Sequence, residues 1–175
     1  MDNHGNIVAE LAKTLGATLK AHGLMLVLAE SCTGGMVAQA ITSVAGSSAW
    51  FDRGFVTYSN AAKIEMLGIS YQTLEKHGAV SEKTAIEMAL GALKHSHAQI
   101  AGSITGIAGP DGGTVEKPVG TVCFAWIGLN MPTSAITRHF EGNREEIRQQ
   151  ATITIMTGLI ERLNLLKNKS YSKIK

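Results

Sequence analysis

Cysteine is scarce in these 175 residues: Cys32 and Cys123 are far apart and make neither a CxxC pair nor a disulfide framework. Aromatic residues amount to 5%, too few for the stacking platforms of a single-strand nucleic-acid binder. No apolar run approaches the roughly 18 residues of a membrane span, and "MDNHGNIVAE" lacks the basic region and apolar core of a signal peptide. Positive charge is also thinner than the formal +2 suggests. Four lysines crowd into the last nine residues, "KNKSYSKIK", and without them the body carries −2. A basic stripe is therefore missing, and no direct nucleic-acid binding is expected. His95 and His97 are two apart on a predicted helix and face different sides, while His4, His22 and His139 are isolated, so no metal site is expected. These absences describe a cytoplasmic protein of a reducing compartment, without membrane partners or cofactors.

What is present is 45% hydrophobic residues and 19 glycines, a balance suited to a tightly turned α/β protein. Ile7, Leu11, Leu15 and Leu19 recur on one face of an opening helix that ends at Gly23. "LMLVLA" (24–29) reads as a strand covered on both faces, and Met36, Val37, Ala40 and Ile41 follow with helical spacing. "RGFVTYS" (53–59) reads as a second strand, with Asn60 as N-cap of "AAKIEMLG", which places Lys63 near the third helical position. Ser81 is expected to cap a helix whose Ala85, Met88, Ala89 and Ala92 form a stripe of small residues. "QIAGSIT" (99–105) is a buried strand, and "TVCFAWIGL" and "SAITRHFEG" should pair as an antiparallel hairpin. A final helix is expected from about Asn143 to Leu166. The expectation is one three-layer α/β/α domain over residues 1–166, with a mixed sheet including that C-terminal hairpin, and a disordered basic tail over 167–175.

Ligands of open α/β sheets gather beyond the carboxyl ends of the strands. Three loops there carry chemistry: "ESCTGG", "TYSNAAK" and "TGIAGPDGG". In the first, Ser31 and Cys32 are adjacent potential nucleophiles. Unpaired N–H groups at a helix start, with Thr33, Gly34 and Gly35 around them, favour an anion, although Ser31 or Thr33 acting only as a cap satisfies the same residues. The turn has neither GK[ST] nor GxGxxG spacing, which excludes a P-loop and a dinucleotide fingerprint. Lys63, in the first turn of its helix, faces the positive dipole end, and burial with that dipole would make it a general base. Tyr58 lies five residues before Lys63, not the four of a YxxxK dehydrogenase pair, and is placed to pass a proton beside it. Thr105, Gly106 and Gly109, with Pro110 and Asp111, make a glycine-dense loop open to close ligand approach or to a plain surface turn. Cys32, acidified at a helix start with His77 as base, is the competing nucleophile.

"AESCTGG", "SSAWFDRGFVTYSNAAK", "GAVSE" and "ITGIAGPDGG…KPVGTV" together resemble the C-terminal domain of the CinA competence/damage-inducible proteins, from about Ile7 to Leu165. Stand-alone members of that family are nicotinamide-nucleotide amidases. The resemblance implies deamidation of nicotinamide mononucleotide in pyridine-nucleotide recycling, with Ser31 as nucleophile, Lys63 as base, and Tyr58 and Thr105 assisting. It leaves the substrate phosphate to the glycine loop and Arg144. A small-molecule substrate and a homo-oligomer, most simply a homodimer, are the expected partners. The alternative is a paralogue that binds a nucleotide or a partner without turnover.

Overall fold

The computed structural model describes residues 3–171. In chain order the elements are α1 (Asn3–His22), β1 (Leu26–Glu30), α2 (Met36–Thr42), a 3-10 turn (Ser47–Ala49), β2 (Phe51–Val56), α3 (Asn60–Leu67), α4 (Tyr71–His77), α5 (Glu82–Lys94), β3 (Ile100–Gly106), β4 (Thr121–Gly128), β5 (Met131–His139) and α6 (Arg144–Tyr171). One sheet orders the strands β2-β1-β3-β4-β5. β1 pairs in parallel with both β2 and β3, while β4 and β5 run antiparallel, as the short connection around Pro132 requires. The mixed sheet and its terminal hairpin match the expectation from sequence.

Each sheet face carries its own apolar core. On one side Leu15 and Leu19 of α1 and Ile155 and Leu159 of α6 close over Leu26, Leu28, Ile104 and Phe124. On the other, the small stripe of α5 (Ala85, Met88, Ala89, Ala92) lies on Val27, Ala29, Ala101 and Ala125, with all four helix residues fully buried. Fully burying one such leucine stabilises the fold by about 1.5–3 kcal/mol. The continuous apolar reading of β1 follows from this double cover, and all five of its residues are buried. Among the described residues no helix is long and apolar enough to cross a membrane.

The local expectations shift in three places. Strand β2 starts at Phe51 and ends at Val56, so Tyr58 and Ser59 leave the sheet. Ser59, not Asn60, caps α3, its hydroxyl accepting from the Ala62 amide, because Ser59 holds the extended backbone a cap needs. Lys63 therefore stands at the fourth helical position, and its amide already bonds the Ser59 carbonyl. Helix α6 continues to Tyr171, into the stretch expected to be a disordered tail; residues 172–175 lie outside the described residues. Helix α4 escaped the sequence reading, since only Leu74 of its seven residues is buried.

Helix α3 is held against α5 by a glycine. A Cβ at Gly91 would run into the carbonyl oxygen of Leu67, the last residue of α3, and backbone cannot swing aside as a side chain can. Gly91→Ala is therefore expected to lower stability by about 1–3 kcal/mol despite the better helix propensity of alanine. Urea unfolding followed by far-UV circular dichroism would check it, an unchanged or raised midpoint being the contrary result.

Candidate active site

Because β1 lies between β2 and β3 and runs parallel to both, the three loops leave the same sheet edge side by side. They enclose a cavity of about 280 Å³ lined by Ser31, Cys32, Tyr58, Gly106, Gly109, Asp111 and Arg144, among others. Gly106 follows β3 directly, and Gly109, at φ 78°, allows the loop to turn back over the opening.

At the cavity floor Lys63 Nζ donates to Ser31 Oγ and to the Thr57 carbonyl, each at 2.9 Å. Both side chains are buried, Lys63 to 1% exposure. Burial pushes the Lys63 ammonium below its ordinary value of 10.5, with a smaller opposing influence from Cys32. No carboxylate pairs with it; the only ion pairs among the described residues are Lys13–Glu10 and Arg53–Asp52. An amine desolvated without a counter-ion favours its neutral form. In that form its lone pair can take the Ser31 hydroxyl proton while an N–H stays on Thr57. Cys32 lines the same cavity, but burial drives its thiol up to about 12, so it stays protonated. His77, its conceivable base, ends α4, where its carbonyl accepts from Lys117.

The residue that sequence reasoning missed is Glu30. Its carboxylate is buried to 1% exposure and accepts from Thr33 Oγ1 (2.7 Å) and from the amides of Gly35 (3.0 Å), Val37 (3.2 Å) and Ala38 (2.8 Å). The positive end of α2 is thus filled by the protein's own anion. This corrects the expectation that Thr33, Gly34 and Gly35 offer free amides to a ligand: the helix start is occupied, and none of the three lines the cavity. Neither Ser31 nor Thr33 caps α2; Gly35 does, without a side-chain bond. Gly34 and Gly35, at φ 59° and 96°, supply the left-handed turn that brings the chain back over Glu30. The signal was an acid ending an apolar strand just before a helix.

Thr105 also departs from its expected place. Its hydroxyl donates to the Ala79 carbonyl at 2.7 Å, on the α5 side of the sheet, and braces the turn before α5 from outside the cavity lining. Tyr58 stands on the rim at 60% exposure, and its hydroxyl accepts from Arg144 Nη2 at 2.7 Å; it bonds neither Lys63 nor Ser31. Arg144 Nη1 donates to the Gly109 carbonyl at 2.7 Å, tying the second and third loops together. One helical turn later, Arg148 donates to the Thr33 carbonyl at 2.8 Å. Sequence reasoning passed over it, although it repeats Arg144 at the i+4 spacing of one helix face. The structure thus brings together Ser31, Lys63, Tyr58, Gly106, Gly109 and Arg144.

A family model described as CinA C-terminal domain matches residues 8–163. A protein of Enterobacter agglomerans named nicotinamide-nucleotide amidohydrolase PncC is 56% identical over 87% of this chain and 93% of its own length. One of the same name from Escherichia coli strain K12 is 57% identical over 82% of this chain and 87% of its own. Among solved structures, the competence/damage inducible protein CihA from Agrobacterium tumefaciens superposes with a TM-score of 0.86 at 48% identity, over 90% of this chain and 96% of that one.

Two stability measurements follow from this geometry. Glu30→Gln keeps the shape but aims an NH₂ group at an amide donor, and is expected to lower unfolding free energy by about 2–3 kcal/mol in urea titration. For Lys63 the unfolded chain binds the proton more tightly than the folded one. Its burial penalty is full below the lowered folded pKa and gone above the unfolded value of 10.5. Stability relative to Lys63→Met should therefore rise as pH climbs from neutral toward that value, and a flat difference across parallel thermal melts would contradict the assignment.

Proposed function

The chain belongs to the CinA C-terminal domain family, and from that premise we propose that it is an amidohydrolase converting nicotinamide mononucleotide to nicotinic acid mononucleotide and ammonia. The observation that carries this reading is the buried Lys63 amine 2.9 Å from the Ser31 hydroxyl, at the floor of an open cavity. The amidohydrolase names of relatives sharing more than half their residues support it. A place in pyridine-nucleotide recycling follows from the same substrate.

In this mechanism neutral Lys63 takes the Ser31 proton as Oγ attacks the carboxamide carbon. The oxyanion that forms needs donors other than the amides of α2, which Glu30 occupies. The Cys32 amide is the nearest such donor: it follows the nucleophile, and no carbonyl or carboxylate among the described residues takes it. Collapse of the adduct breaks the C–N bond, and Lys63 returns its proton to the departing nitrogen, which leaves as ammonia. Water, deprotonated by the same amine, then cleaves the acyl-enzyme to the carboxylate product and restores Ser31. Arg144 is exposed on the rim with no carboxylate partner, and its guanidinium with the Gly109 loop suits the substrate phosphate. Tyr58, held by Arg144, serves as a wall of the substrate cavity rather than as a proton carrier.

Ammonia release from the mononucleotide is the direct assay. Ser31→Ala and Lys63→Ala should each lower kcat by about 10²–10⁴ or more, while Cys32→Ala should retain activity. The wild-type rate should climb with pH as Lys63 loses its proton, through a value below 10.5. Binding of the mononucleotide by wild-type protein without any acid product would overturn the amidase reading in favour of a binding paralogue.

A further inference from the structure

We propose that Arg148 is a positioning residue that holds Ser31 in register with Lys63 by fixing the Thr33–Gly34 peptide from helix α6; the reaction it serves is taken from the reading above. The turn after Ser31 needs such a restraint. Gly34 and Gly35 both have positive φ, and a peptide ahead of two glycines meets little steric resistance to rotation. That peptide has a partner at each edge. Its Gly34 amide donates to the Ser31 carbonyl at 3.0 Å, and its Thr33 carbonyl accepts from the Met36 amide at 3.1 Å and from Arg148 Nη2 at 2.8 Å. Rotation would break the bond to Ser31 and the bond to Arg148 together. The guanidinium, which reaches over from another element, is therefore the group that opposes it.

The setting of Arg148 suits this task better than a surface role. It is half-buried, pairs with no carboxylate among the described residues, and its Nε is buried without a partner. A guanidinium held so is unfavourable by itself, which makes a plain packing role a poor account of it. A Cβ on Gly34 would lie 3.6 Å from Nη2, so the side chain rests directly on the turn. Its charge is also felt one residue from the nucleophile, where it draws the Cys32 thiol downward against the larger effect of burial. Arg148 does not line the cavity, so it acts through the turn and not by touching substrate. With Arg144 on Gly109 and Tyr58, one face of α6 grips all three loops of the site.

The test compares wild type with Arg148→Met, which keeps the stem and removes the guanidinium, and Arg148→Lys, which keeps a charged donor. Two readouts are needed: steady-state ammonia release from the mononucleotide, and the rate at which a small fluorophosphonate labels Ser31, followed by intact-protein mass. In Arg148→Met, kcat and the labelling rate should both fall at least about tenfold, with KM within about twofold of wild type; Arg148→Lys should recover part of both. Both variants are compared at a temperature where circular dichroism shows them folded. Labelling and kcat at wild-type levels in Arg148→Met overturn the proposal. So does a rise in KM at unchanged kcat, which would make Arg148 a substrate contact. If wild type labels at Ser31 but releases no ammonia, the amidase reading fails, and the labelling rates of the variants still decide the role of Arg148.

Discussion

The arrangement depends on one buried carboxylate. Glu30 ends the central strand and is immediately followed by the residue that must stand in the cavity, so whatever fixes Glu30 fixes Ser31. It is fixed by four donors from the segment that follows it, three amides and the Thr33 hydroxyl. Strand, turn and helix α2 are thereby clasped around one negative charge, and two consecutive glycines with positive φ allow the chain to fold back far enough to do so. The clasp also decides where a ligand's negative charge cannot go. In many α/β proteins a helix start at this position receives a phosphate; here that place is taken, and anion recognition moves outward to the guanidinium on α6.

The nucleophile and its base arrive from opposite sides of the sheet. Ser31 follows a strand whose Glu30 side chain turns toward α2, while Lys63 comes from α3, which packs against α5 on the far face. The amine therefore crosses the end of the sheet inside the protein. This route explains its desolvation: the stem is covered by protein along its length, and the only groups that receive its hydrogens are a hydroxyl and a backbone carbonyl. A lysine on the outer face of α3 would have the same helix position and none of the same chemistry. Position in the chain sets the reach of a side chain, whereas burial sets its protonation.

Residue by residue, this distinction marks what was legible in the chain. The fold was readable because double-sided burial leaves continuous apolar strands, and the small stripe of α5 and the short β4–β5 connection each have one economical packing. Ser31 and Lys63 stood out as a hydroxyl and an amine on loops after neighbouring strands. Tyr58 was placed at the site but in the wrong role, since the partner of its hydroxyl, Arg144, is far away in sequence. Thr105 was read as facing the ligand because a hydroxyl beside glycines invites that, yet its side chain follows the strand's alternation to the α5 face. Glu30 and Arg148 escaped for a common reason: each works through backbone groups of the first loop, and no pattern of residue types announces a bond to a carbonyl or an amide.

The position of β2 at the sheet margin has a dynamic meaning. The nucleophile rides on the innermost parallel strand, braced on both sides, but the base is delivered by an outer strand and a two-turn helix, the region with least around it. Protection from local opening tracks such bracing. The two halves of the catalytic pair therefore belong to parts of the molecule that open with different free energies. A brief fraying of the margin would admit water to the amine, recharge it and disarm the site while the core stayed closed, so the enzyme can lose its chemistry without losing its fold.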